Sequence, residues 1–295
     1  MIYPLIVELN SEYPVAKLCD VFVIARSGFY RWLHLTPGKR KDSNERLLRL
    51  IQDSHQQSGG TYGLDKILHD VRETMTCSRG RVHRIMKKNG IQSIRKRKFK
   101  ATTNSDHKLP VAENLLNQQF AVEAPNQVWV SDISYCRTNE GWLYLATVKD
   151  LFHKGIVGWA ASSTMTRELV IQALDHAVKL HRPKAGLIHH SDRGVQYCSH
   201  DFQTFLTKNG MICSMSRKGN CYDNACAETF FSTIKLEMIY HHAFATRDQA
   251  KRAIFEYIEI FYNRKRRHQA LGYLTPASFM KRYDLKQKAL MKKAG

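Results

Sequence analysis

Negative charge is what this chain has least of: 26 Asp and Glu stand against 46 Lys and Arg, a formal net charge of +20 over 295 residues. From Thr74 to Ser105 there is no acidic residue at all. That deficit selects a polyanionic partner on electrostatic grounds, nucleic acid first and an anionic membrane surface second. Long apolar runs are missing too. Nothing approaches the roughly 18 to 20 apolar residues that span a bilayer, and the start "MIYPLIVELNSEYP" lacks the basic, apolar and small-residue order of a secretory leader, so a cytoplasmic chain is expected. The seven cysteines are odd in number and form no C-x-x-C, which excludes a disulfide framework and leaves free thiols as the simplest reading. "CSH" at 198–200 and "CYDNAC" at 221–226 lack the ligand spacing of a zinc site. No heptad run supports a coiled coil.

The first third reads as short helices. A brief apolar helix around Val15 to Cys19 is followed by a turn, and Ser27 is placed to cap a helix carrying Phe29, Tyr30 and Trp32. Pro37 and Gly38 interrupt the pattern, after which Ser43 or Asn44 can cap "ERLLRLIQDSHQQ". A third unit follows, with a helix near Leu64 to Arg72, the turn "ETMTC", and Ser78 capping "RGRVHRIMKKNG", which the Asn89-Gly90 pair stops. In this last helix Val82, Ile85 and Met86 face inward, while Arg79, Arg81, Arg84, Lys87 and Lys88 crowd the other surfaces. Solvated faces normally mix signs. This one does not, and "RKRKFK" (Arg95 to Lys100) continues it, the pattern of a major-groove helix with a phosphate-gripping extension.

Beyond a polar stretch the character changes. "QVWVSDISYC", "WLYLATVKD" and "GIVGWAASS" are β-rich runs joined by short turns, an antiparallel meander. A helix, the strand "AGLIHHSD", a helix, the strand "MICSMSR" and the helix "ACAETFFSTIKLEMIYH" come next. Three strands, then helices alternating with strands, is an α/β arrangement: the ribonuclease-H-like mixed sheet, here preceded by small all-α helix-turn-helix units. The expected divisions are a helix-turn-helix-like segment at 1–41, a basic DNA-binding domain at 42–104, a connection at 105–123, a catalytic core at 124–285 and a basic tail at 286–295.

In that plan Asp132 lies in the first strand, Asp192 ends the fourth, and Glu228 sits on the helix after the fifth. A lone Asp beside glycine, as in "HHSDRGVQY", is as well read as a turn former. Three carboxylates brought to one sheet edge are different, because they repel unless they hold cations, and hard oxygen ligands suit Mg²⁺ or Mn²⁺. Two such ions can activate a water or hydroxyl and stabilise the leaving oxygen in phosphodiester displacement. Asp150, at the end of the second strand, reads as a turn residue, and His190 as a neighbour behind the acids.

The 35 residues (193–227) between Asp192 and Glu228 are the spacing of Asp-Asp-Glu transposases and retroviral-type integrases. Around these acids, "HSDRGVQY", "SMSRKGNCYDNACAETFFSTIKLE" and "YIEIFYNRKRRHQALGYLTPASF" closely resemble the transposase subunit of the insertion-sequence-three family of bacterial mobile elements. The likeness covers nearly the whole chain. It implies that Asp132, Asp192 and Glu228 are the catalytic, metal-binding triad, with two Mg²⁺ or Mn²⁺ ions. It implies that Lys235, two helical turns after Glu228, contacts terminal DNA. Asn224 and Lys218 match the family pattern near the scissile phosphate, although a helix N-cap and an ordinary loop residue explain them equally well. The basic segment Arg264 to Arg267, including Arg264 and Arg267, falls where a DNA contact is plausible. The resemblance further implies double-stranded DNA as partner, the element's terminal repeats and its target, a homo-oligomer on that DNA, and an upstream-frame protein or frameshift fusion. Its route runs through 3′-end cleavage, strand transfer between the element's own ends, and a circular intermediate.

Two other readings share some of these residues. A ribonuclease or junction nuclease would use the same acids without needing the basic helices. A DNA-binding regulator with an inactive core would keep the helices without needing the acids, and all three acids are present. A tyrosine recombinase is disfavoured, since "RRHQAL" lacks the second Arg of its motif.

Overall fold

The computed structural model describes residues 2–34, 39–94, 111–217 and 223–294. Two compact units emerge, one of residues 1–57 and 67–92, the other of 58–66 and 93–295.

In the first unit, α1 (Ile2–Leu9), α2 (Val15–Val21) and α3 (Arg26–Leu33) close around Ile6, Leu18, Cys19 and Phe29. The sequence reading missed α1. Nor does Ser27 cap α3: the helix begins two residues earlier, with Ala25 as N-cap, so Ser27 lies inside it. α4 (Lys39–Gln57) likewise starts before Ser43 and Asn44, which therefore do not cap it. Their oxygens instead accept from the Arg81 guanidinium, Nη2 to Ser43 Oγ at 2.8 Å and Nε to Asn44 Oδ1 at 2.9 Å. α5 (Leu64–Arg72) buries Ile67, Leu68 and Val71. α6 (Arg79–Lys88) is capped by Ser78, whose side chain accepts from the Arg81 amide, and Gly90 takes the left-handed conformation at its stop.

The second unit is built on a five-stranded sheet in the order β3-β2-β1-β4-β5. β1 (Val128–Thr138), β2 (Gly141–Asp150) and β3 (Ile156–Ser162) form the expected antiparallel meander, and β4 (Ile188–Ser191) and β5 (Ile212–Met215) add in parallel. Side chains alternate across the strands, so β1, β2 and β3 each feed two cores. Trp129, Ala146, Val148 and Val157 pack with Leu169 and Leu174 of α7 (Arg167–His181) and Phe202 and Leu206 of α8 (His200–Lys208). On the opposite face Cys136, Leu143 and Leu145 pack with Phe230, Phe231 and Ile234 of α9 (Ala225–Glu237) and Ile254 of α10 (Arg247–Phe255). Gly158 of β3 marks the closest approach. A Cβ there would meet the Ala173 carbonyl and Ala177 of α7, so only glycine lets that helix lie directly on the sheet.

Residues 111–123, expected as plain connection, are packed. Leu116, Phe120 and Val122 join Val128, Val130, Leu151 and Ala227 in a third cluster. Residues 247–262 do not form one continuous α-helix. After α10 the chain widens into a π-helical segment, Glu256–Tyr262, which turns Tyr257, Ile258 and Tyr262 inward together. α11 (Pro276–Ala294) follows.

The turn after the π segment buries His268, whose ring meets Tyr262 edge-on at 4.8 Å. Burial first, then the Arg266 and Lys149 charges, lowers its pKa to about 2. The folded form thus keeps this histidine neutral while the unfolded chain protonates near pH 6.5. Its contribution to stability is complete above that pH and falls as pH drops toward the folded value, by up to about 1.4 kcal/mol per unit. Urea unfolding between pH 7 and 4.5 is expected to show a shallower pH dependence in His268→Leu than in the wild type; equal slopes would refute the assignment.

Candidate active site

β4 pairs with β1 only at its beginning, Val128 with Ile188, Trp129 with His189 and Val130 with His190. Carried two residues further, this parallel register sets Asp132 opposite Asp192, just past the last residue of β4. Asp132 shares the sheet face of Val130 and Cys136, which pack against α9, and Glu228 stands in the first turn of that helix. Strand edge, strand end and helix start thus converge.

Electrostatics records the convergence. Burial first, then the Asp192 charge, drives the Asp132 carboxyl well above the ordinary carboxylate range; Glu228 adds to the rise, and the Ile133 amide and Lys235 oppose it. Glu228 is raised as well, by desolvation and by Asp192. Asp132 Oδ1 accepts from the Ile133 amide at 2.8 Å, and Asp192 Oδ1 from the Gly194 amide at 2.9 Å, which fixes both carboxylates. Among the described residues no three His, Cys, Asp or Glu side chains already close on one point. The acids act on one another's charge without closing on a shared point. An all-oxygen set whose members disfavour each other's charge fits a hard divalent cation, which takes one or two carboxylates and keeps places for water and phosphate.

Of the layer behind the acids, only His190 was expected from the sequence. His190 is fully buried, with Nε2 3.1 Å from the Asp223 carbonyl and Nδ1 2.9 Å from Ser214 Oγ. A carbonyl only accepts, so Nε2 carries the proton and Nδ1 accepts from the serine. Burial lowers this imidazole to about 4 and its neighbour His189 to about 3, so both are neutral. Asp223 in turn takes the Arg217 guanidinium in a bidentate pair, with both contacts at 2.9 Å, and its carboxyl is depressed chiefly by that partner. On the other side buried Lys149 reaches across from β2, and its Nζ donates to the Cys226 carbonyl at 2.9 Å. Desolvation lowers that ammonium to about 8. Together these bonds hold the start of α9, and hence Glu228, over the end of β4.

The other expected site residues divide. Lys235 stands near the acids, half-buried, with its charge acting on Asp132. Asn224 occupies the N-cap position of α9, yet its side chain makes no capping bond and its buried Oδ1 has no partner among the described residues. Lys218 lies outside the described residues, as does "RKRKFK". Arg79, Arg84, Lys87 and Lys88 are exposed on α6, whereas Arg81 is engaged by α4. Arg264 is exposed, but Arg267 Nη1 donates to the Tyr273 carbonyl. Asp150 is structural: fully buried, it accepts from Asn126 N, Trp129 Nε1 and Phe152 N.

Models of an integrase core domain match residues 122–221 and 209–276, and one of an HTH-like domain matches 42–99. Transposase InsF for insertion sequence IS3A of Escherichia coli (strain K12) is 37% identical over 282 residues, covering 95% of this chain and 98% of that protein. The chain belongs to the insertion-sequence-three family of transposases. A 31 kDa protein of insertion element IS600 from Shigella sonnei is 50% identical over 267 residues, 90% of this transposase and 98% of that chain. Among solved structures, the HTLV-2 integrase catalytic core domain in complex with magnesium covers 52% of the transposase and 96% of itself at 17% identity, with a TM-score of 0.42. No helix among the transposase's described residues is long and apolar enough to cross a membrane.

Proposed function

We propose that Asp132, Asp192 and Glu228 are the reacting centre at which this transposase cuts DNA 3′ ends and joins them to a second phosphodiester. The observation that carries this reading is the meeting of three acids at an open strand edge, where Asp132 is strongly disfavoured as an anion. Asp132, Asp192 and Glu228 would together hold divalent ions, two of Mg²⁺ or Mn²⁺. When bound, such ions activate the attacking hydroxyl and stabilise the leaving oxygen. The chain's own part is positional. The backbone amides of Ile133 and Gly194 aim the two aspartates, Lys149 and the His190–Asp223–Arg217 series fix α9, and Lys235 offers a cation to the phosphate backbone.

The DNA itself would be gripped by the HTH-like domain, with Arg84, Lys87, Lys88 and Arg79 of α6 against phosphates and groove and Arg264 as a further backbone contact. Joining two element ends needs two ends held together, so a homo-oligomer on DNA, with an upstream-frame product or fusion, fits the task. A junction assay in cells tests this: the gene with its flanking DNA is supplied and end-to-end junctions are scored by amplification. Wild type is expected to form junctions and Asp192→Asn none. End binding without junctions in the wild type would favour the regulator reading, and cleavage without joining a nuclease.

A further inference from the structure

The tip of the β1–β2 hairpin carries two exposed aromatic rings, Tyr135 and Trp142, that join none of the core clusters among the described residues, with Tyr144 beside them packed against the core. Tyr135 is 43% and Trp142 45% exposed, with ring centroids 5.0 Å apart in an edge-on arrangement, and Tyr144 lies 6.3 Å from Tyr135. Tyr135 pairs directly with Tyr144 across the ladder and Arg137 with Trp142, so all four share one sheet face. Lys235 stands over the Tyr135 ring at 5.2 Å, and its charge is also felt by Asp132. The cation therefore lies between the aromatic pair and the acids. Tyr135 is three residues beyond Asp132 on the same strand, roughly 10 Å at the rise of a β-strand; the two side chains leave opposite sheet faces, and Lys235 links them at the β1 edge beyond the last pairing with β4 at Val130.

Exposed aromatic area of this kind needs an occupant with a flat apolar face. Inside duplex DNA the bases cover one another, so a surface aromatic side chain finds a whole base face most readily where a nucleotide is unpaired. The flanking cations, Lys235 and Arg137, match a nucleotide's phosphate better than an apolar protein surface. We propose that Tyr135 and Trp142 form a stacking platform for an unpaired nucleobase flanking the phosphodiester held at Asp132, Asp192 and Glu228, with Lys235 on the intervening phosphate. This rests on the reacting-centre reading above. It adds a substrate requirement: the strand must fray by a base or more beside the cut, which the platform rewards.

The test compares binding of the full chain, in Ca²⁺, to two probes of the same sequence: a blunt 20-base-pair duplex, and one ending in a three-nucleotide single strand that carries 2-aminopurine. Wild type is expected to prefer the overhang by about tenfold, with quenching of the 2-aminopurine. Tyr135→Leu/Trp142→Leu should bring the ratio to about one, while Tyr135→Phe/Trp142→Phe, which keeps the rings, should retain it. A wild type indifferent to the overhang overturns the platform, as does a leucine pair that keeps the preference. So does a leucine pair that shifts only the sedimentation of the DNA-free protein, which would make the patch an interface between copies. Glu228→Gln separates the two ideas: it should keep the overhang preference, so preference without wild-type cleavage in Mg²⁺ would sink the reacting-centre reading alone.

Discussion

Glu228→Gln is expected to lower DNA cleavage and joining by on the order of a thousandfold, and at the same time to raise the stability of the metal-free protein. The two effects have one cause. Glu228 sits in the first turn of α9 within reach of the Asp192 charge, and Asp132 is destabilised as an anion by both acids. Removing one negative charge relieves that repulsion without changing the size of the side chain. It also removes a ligand whose charge offsets a divalent ion's. Calorimetry without metal, followed by titration with Mg²⁺, separates the effects: the variant should melt above the wild type in chelator and gain less from added metal. A variant that cleaves within tenfold of wild type would remove Glu228 from the centre. One that melts lower in chelator would mean that the acids do not strain one another.

How far the sequence carried this reading depends on what kind of interaction is involved. The sheet was legible because "QVWVSDISYC" and its successors alternate, and alternation follows from the pleat alone. The three acids could be singled out because Asp192 follows a strand and Glu228 opens a helix, with Asp132 inside the first strand, and because the Asp192 to Glu228 spacing is shared by a family. Ser78 and Asn89-Gly90 worked for the same reason, since a cap acts on its own turn. Ser27, Ser43 and Asn44 show the limit: a polar residue near a helix start can equally serve a partner, and for the last two that partner, Arg81, is 37 or 38 residues away. For Lys149 nothing local in the sequence indicates that its ammonium meets the Cys226 carbonyl, 77 residues on. The π-helical segment was hidden because apolar residues recur at helical intervals on both sides of it.

The same limit governs the second large effect, at Arg266. In sequence it is one cation in "NRKRRHQ", part of a segment that reads as a DNA contact; in the fold its side chain is only 13% exposed and clasps Glu237, itself 6% exposed. Nε lies 2.8 Å from Oε2 and Nη2 2.7 Å from Oε1, and the Tyr257 hydroxyl donates to Oε2 at 2.7 Å. Glu237 is the last residue of α9, so this pair pins the far end of the helix whose first turn holds Glu228. Arg266→Met removes the cation and leaves a carboxylate enclosed by protein, an arrangement that typically costs about 3–5 kcal/mol. For a domain of this size the melting temperature should fall by about 10 °C. The pair itself is worth less than its rupture, because both charges were desolvated to form it. Arg266→Met/Glu237→Leu should therefore recover most of the loss, and the double-mutant cycle should show strong coupling. Binding to a blunt duplex at a temperature where all variants are folded is expected to change little, since a guanidinium held by Glu237 is not offered to phosphate. A single variant that melts like wild type but loses DNA affinity would return Arg266 to the DNA-binding surface that its neighbours in sequence suggest.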